Sequence, residues 1–104
     1  MGTRVVWSPE AIEDVDAIAA YISRDSQYYA SAVVKKMLST AKSLGQFPHI
    51  GSIVPEMSDQ TIRERFIYSY RLIYRVIENE IIVIAVIHGK RLLDPIIKRL
   101  EKNP

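Results

Sequence analysis

Six cations and one imidazole gather between residues 63 and 91: Arg63, Arg65, Arg71, Arg75, His88, Lys90 and Arg91. Arginine pairs at even spacing share a face when the chain is extended, so Arg63 goes with Arg65 and Arg71 with Arg75. Guanidinium groups bind phosphates bidentately, and an imidazole moves a proton near neutral pH. Arg63, Arg71, His88 and Arg91 therefore have the residue types for cutting RNA. A base would take the 2′-hydroxyl proton, cations would stabilise the charged phosphorane, and an acid would protonate the leaving oxygen. Structural roles compete with this reading. Arginines on a half-exposed strand line solvent or pair with carboxylates such as Glu64, Glu78 and Glu80, and a histidine ending a strand is often a hydrogen-bonded structural residue. Tyr68, Tyr70 and Tyr74 could stack bases, but tyrosine is also a good strand former.

Other chemistry is easier to set aside. The chain has no cysteine, and His49 and His88 are its only histidines, so neither thiolate catalysis nor a metal site is expected. It contains no glycine-rich phosphate loop, nucleophile elbow or HExxH string, and no cofactor is expected. Net charge is +2, distributed unevenly. Residues 1–60 hold five basic and seven acidic side chains, and residues 61–104 hold nine and five. The second half is thus the candidate face for an anionic partner, with Arg65, Arg75, Lys90 and Lys98 as expected target-binding residues. The longest apolar run, Ile81–Ile87, is too short to cross a bilayer, and the opening residues lack a signal-peptide core. A cytoplasmic protein without membrane contact is expected.

The 104 residues suit one domain, and their periodicity predicts what positions the cations. Thr3–Trp7 reads as a strand. Ser8-Pro9 reads as N-cap and first helical position, opening a helix to about Ser23 with an apolar stripe of Ile12, Val15, Ile18, Ala19 and Ile22. A second helix starts at Asp25 or Ser26 and follows Ala30, Val33, Val34, Met37, Leu38, Ala41 and Leu44 to Gly45, which sits where a left-handed C-cap belongs. The two helices should form an antiparallel hairpin. Residues 46–60 read as a long connection pinned by Phe47, Ile50, Ile53 and Val54. Ile62–Tyr68, Tyr70–Ile77 and Ile81–Ile87 then read as an antiparallel meander turning at Tyr68-Ser69 and Glu78-Asn79-Glu80. The last strand, apolar on both faces, should be central. Asp94-Pro95 opens a short helix over 95–102, with Ile96, Ile97 and Leu100 on one side and Lys98, Arg99 and Lys102 on the other. The expected fold class is α+β, in the order β-α-α-β-β-β-(α), with a helical hairpin on a small, mainly antiparallel four-stranded sheet. In such a meander Arg71, near the start of its strand, should lie near His88 at the end of the next.

Four strings, in this order, resemble a known family. Residues 7–22, Trp-Ser-Pro-Glu-Ala-Ile-Glu-Asp-Val-Asp-Ala-Ile-Ala-Ala-Tyr-Ile, resemble the opening helix of ParE-type toxins. Phe47-Pro48-His49-Ile50-Gly51 resembles the loop after their second helix. Residues 69–76, Ser-Tyr-Arg-Leu-Ile-Tyr-Arg-Val, resemble their central strand. Ile84-Ala-Val-Ile-His-Gly-Lys-Arg91 resembles their closing strand. Together these cover about residues 5–93. The resemblance implies the toxin of a bacterial type II toxin–antitoxin pair, silenced by a cognate antitoxin that lays an acidic amphipathic segment along it, either in a groove between helix and sheet or as an added strand. Within this RelE/ParE superfamily, ParE-like members poison DNA gyrase and RelE-like members cut mRNA in the ribosomal A site. By resemblance, Arg71 and Arg91 match two arginines of RelE-type nucleases. The tyrosine of their C-terminal segment falls at about Ile97 and is missing. Related nucleases have a histidine that matches His88, but the tyrosine beside it is replaced by Gly89. The resemblance therefore implies a gyrase inhibitor first, without enzymatic activity, and a ribosome-dependent endoribonuclease as the alternative.

Overall fold

A computed structural model describes residues 3–90 and 94–102. Its elements follow the expected order with one strand added, β2: β1 (Arg4–Trp7), α1 (Pro9–Ser23), α2 (Gln27–Ser43), β2 (Ser52–Ile53), β3 (Ile62–Ile67), β4 (Tyr70–Ile77), β5 (Glu80–His88) and α3 (Asp94–Lys102). Ser8 caps α1 by accepting a hydrogen bond from the Ala11 amide at 3.1 Å, and Ser26 caps α2 through Tyr29 at 3.0 Å. These two caps fix where the hairpin begins and where it reverses.

The sheet runs β1-β5-β4-β3-β2, antiparallel except where β1 pairs parallel with β5. It is five-stranded rather than four-stranded. Ser52 and Ile53, expected within a loop, pair with Glu64 and Arg63 of β3; two residues are too few for an alternation signal to show. β5 lies between β1 and β4, which explains why it is apolar on both faces. The turn after β4 is shorter than expected, because Glu80 already pairs with Ile77.

Alternation divides the core in two. On one face of the sheet Leu72, Tyr74, Ile81, Val83 and Val86 meet Ala11, Val15, Val33, Met37, Ala41 and Leu44 of the hairpin. On the other, Ile62, Ile73, Ala85 and Ile87 meet Val54 and, from α3, Ile96. The sheet is therefore the middle of three layers.

Several local expectations are revised. Ile12 and Leu38, placed on the apolar stripes, are 49% and 51% exposed; Ala11 takes the buried place on α1. Gly45 is not left-handed, since no described glycine has positive φ. A Cβ there would lie 2.8 Å from the Thr3 carbonyl, so glycine is needed for the close approach of the chain entering β1. Of the four residues expected to pin the 46–60 connection, only Val54 is buried; Phe47, Ile50 and Ile53 are exposed. The pinning is polar. The Tyr74 hydroxyl donates to the Pro48 carbonyl at 2.9 Å and accepts from the Gly51 amide at 3.0 Å, and Arg63 donates to the Gly51 carbonyl at 2.8 Å.

Candidate functional site

The meander brings the expected cations to one sheet but not to one face. β3 and β4 pair so that Arg63 lies opposite Tyr74 and Arg65 opposite Leu72, which places both arginines on the hairpin face. Arg71 and Arg75 alternate with those partners and occupy the α3 face. His88 pairs with Tyr70 and Arg71 with Ile87. Arg71 and His88 thus sit at the same end of the sheet, in neighbouring register positions, with side chains on opposite faces.

Arg71 is 5% exposed and its guanidinium is fully committed. Its Nε donates to Glu64 at 2.5 Å, while Nη1 and Nη2 fork onto the two oxygens of Glu56 at 3.0 Å each. Bidentate pairing of this kind is how a phosphate would be bound, and here the chain's own carboxylate occupies the fork. Glu64 is as buried as Arg71, whereas Glu56 comes from the loop after β2 and keeps 48% of its side chain in solvent. The pairing with Glu56 first, and then with Glu64, raises the Arg71 pKa above its ordinary value. Arg75 leans on Asp59 at 3.7 Å, a second tie between this loop and β4.

This arrangement has an acid limb. Hydrogen bonding from Arg71 holds Glu56 below the usual carboxylate range, and hydrogen bonding from Thr61 does the same for Asp59. A depressed folded-state value means that the stabilisation is present above the unfolded value, about 4, and is lost as pH falls through the folded one. The ties of loop 54–61 should therefore loosen below about pH 4. Both carboxylates are solvated, so the effect stays under about 1 kcal/mol. Urea midpoints measured against pH should fall more steeply for the natural chain than for Glu56→Gln; parallel curves would reject this.

The remaining expected residues are dispersed. Arg63 and Arg65 are half-buried, and the Nε of each lacks a hydrogen-bond partner among the described residues. Lys90 and Lys98 are exposed. Arg91 lies outside the described residues. His88 is exposed, accepts from the Lys90 amide through Nδ1 at 3.3 Å, and meets Tyr70 edge-on at 5.8 Å.

Two sets of contacts were missed in the sequence. Glu56 and Glu64 as partners of Arg71 are one; the alternation of Arg63-Glu64-Arg65 puts Glu64 on the Arg71 face once β3 and β4 are in register. The other is Asp14 with Arg99, whose forked contacts of 2.8 and 3.0 Å join α1 to α3. Among the described residues no group of three potential ligands could hold a metal, and no helix is long and apolar enough to cross a membrane.

Comparison with known proteins adds a family context. The sequence profile described as ParE toxin of type II toxin–antitoxin system, parDE, matches residues 5–93. Toxin RelE2 of Caulobacter vibrioides is 28% identical over 90 residues, covering 86% of this chain and 98% of RelE2. Among solved structures, the chromosomal ParDE system of P. aeruginosa aligns at a TM-score of 0.70 with 21% identity, covering 85% of this chain and 97% of the other. A free-state variant of E. coli toxin RelE aligns at 0.68 with 16% identity over the whole of both chains. At these identities the two structures speak to the fold alone.

Proposed function

Because the chain belongs to the ParE toxin family of type II toxin–antitoxin systems, we propose that it arrests growth by inhibiting DNA gyrase rather than by cutting mRNA. One observation carries this reading. The guanidinium of Arg71, one of the four residues of the expected RNA-cutting set, is buried and occupied by Glu64 and Glu56. A phosphodiester entering there would have to displace a carboxylate and would meet a local charge already balanced or negative. His88, the candidate proton carrier, faces the other side of the sheet.

Target contact falls on cations that are free to reach a partner. Lys90 and Lys98 are exposed, Arg75 is engaged by Asp59, and Arg65 is half-buried under the hairpin face. Replacing Lys90 and Lys98 together by alanine should raise the toxin concentration needed for inhibition several-fold with no change in melting temperature, since surface charges steer association more than they stabilise the fold. The antitoxin is the second partner. A cavity of about 330 Å³ between α1 and α3 has apolar walls of Ile82, Ile84 and Leu100 next to Arg75 and Arg99. Both arginines already face carboxylates, Asp59 and Asp14, and Glu10 lines the same cavity, so it is the apolar walls that suit the apolar face of an amphipathic segment.

The deciding experiment follows gyrase supercoiling and trapped DNA cleavage with purified chain, beside primer extension on translated mRNA. Inhibited supercoiling with intact message is expected. Toxin-dependent message breaks with unimpaired gyrase at micromolar toxin would overturn the proposal in favour of an endoribonuclease.

A further inference from the structure

A cleft of about 380 Å³ opens at one end of the sheet, where α1 gives way to α2. Four tyrosines from four segments line it: Tyr21 from α1, Tyr29 from α2, Tyr68 from the turn between β3 and β4, and Tyr70 from β4. Tyr21, Tyr29 and Tyr68 are 67%, 49% and 59% exposed. The rings of Tyr29 and Tyr68 are 6.3 Å apart and inclined at 50°, while Tyr70 and His88 form an edge contact. So much exposed aromatic surface in one place marks an interaction site rather than a core, and tyrosine is prominent among residues that dominate binding energy.

Tyr68 has φ 55 at the first position of a two-residue turn, as Glu78, with φ 33, has at the first position of the next, so the left-handed conformation belongs to the tight turns of this meander. From that position Tyr68 takes part in the lining of the cleft.

The walls also select the ligand. Ring faces present negative potential, and burial together with the neighbouring Tyr21 and Tyr29 hydroxyls pushes the Tyr70 hydroxyl above its ordinary value, keeping it a neutral phenol. Asp25 is the one carboxylate among the described lining residues, no lysine or arginine is among them, and the one basic group, His88, has its ring edge-on to Tyr70. Such a cleft attracts a cation and repels phosphate. Nucleobases would also stack on tyrosine, but a nucleic-acid site needs backbone-neutralising cations that these walls lack. We propose that the cleft is an aromatic cage that receives an arginine side chain presented by a protein partner. Arginine fits better than lysine, since its planar guanidinium stacks on a ring while its edge hydrogen-bonds a carboxylate, here Asp25. This surface is separate from the gyrase reading and does not depend on it.

The test is an NMR titration of the full chain, with labelled tyrosine rings, against three probes: an acetylated Gly-Arg-Gly amide, its citrulline counterpart, and a thymidine trinucleotide. The arginine peptide should shift the rings of Tyr21, Tyr29, Tyr68 and Tyr70. Citrulline, which keeps the shape but not the charge, should bind about fivefold more weakly, and Asp25→Asn and Tyr21→Ala should each weaken the arginine peptide to a similar degree. Both substituted positions are exposed, so unchanged melting temperatures are expected and would exclude misfolding as the cause. Equal binding of citrulline and arginine, stronger shifts with the trinucleotide, or no ring shift with the arginine peptide would each overturn the proposal.

Discussion

Replacing Arg71 by methionine is expected to destabilise the fold by about 3–5 kcal/mol, among the largest effects for any single side chain in this protein. The loss comes from what remains behind. Glu64 is 6% exposed, so without the guanidinium its carboxylate is either charged and unpaired inside the sheet–loop contact or must take up a proton. Glu56, with 48% of its side chain in solvent, simply returns to water and adds little. For a domain of about 100 residues, this corresponds to a fall in melting temperature of roughly 15–25 °C. The double variant Arg71→Met with Glu64→Leu should recover most of the loss, because replacing both partners of a buried pair by apolar groups is often neutral or better. If the single variant lost less than about 1 kcal/mol, or the double variant fared worse than the single, the buried pair would not be the cause. The same double variant separates the two functional readings. A folded protein lacking Arg71 should still inhibit gyrase, whereas an endoribonuclease built on that arginine would be silent.

The fold was legible because its determinants are local and repeat with a clear period. The N-caps Ser8 and Ser26, the stripe of Val33, Met37, Ala41 and Leu44, and the doubly apolar β5 each state their place without reference to distant residues. β2 was not legible, because a two-residue strand is defined by its partner rather than by its own pattern. The site was legible in composition and not in orientation. Arg63 and Arg65 lie on β3 and Arg71 and Arg75 on β4, as their spacing predicts, but which arginines share a face depends on the register of β3 against β4. A shift of one residue reverses every side chain, and β3, with its charged alternation, gives the register little guidance. His88 shows the same limit: its position at the end of β5 was clear, yet its face follows from the bulge in β5 that leaves Ile84 unpaired between Val83 and Ala85. No string of residues announces that bulge.

That bulge is the basis of the second large effect expected, from Asp14→Ala. β1 covers β5 only as far as Val83, so beyond it the edge of β5 has no strand to satisfy its backbone. Side chains take over. The Ile84 carbonyl accepts from the Ser8 hydroxyl at 3.2 Å and from Arg99 at 3.1 Å, and the Val86 amide donates to Asp14 at 3.0 Å. Asp14 also receives the Arg99 fork, so one carboxylate satisfies a sheet edge and holds α3 at once. Alanine at this position strips the Val86 amide of its acceptor and removes the forked Asp14 contacts from Arg99. With both side chains mostly shielded, at 16% and 24% exposure, the cost should be about 2–4 kcal/mol. Asp14→Asn, which can still accept from the amide but carries no charge, should fall between. Hydrogen exchange distinguishes this loss from a general weakening: in Asp14→Ala the amides of α3 and of residues 84–88 should exchange faster than those of β4, whereas in Arg71→Met the acceleration should centre on β3 and loop 54–61. Protection of α3 unchanged in Asp14→Ala would mean that Ile96 and Leu100 hold the helix by apolar contact alone, and that the forked ion pair is an ornament of its docking rather than its cause.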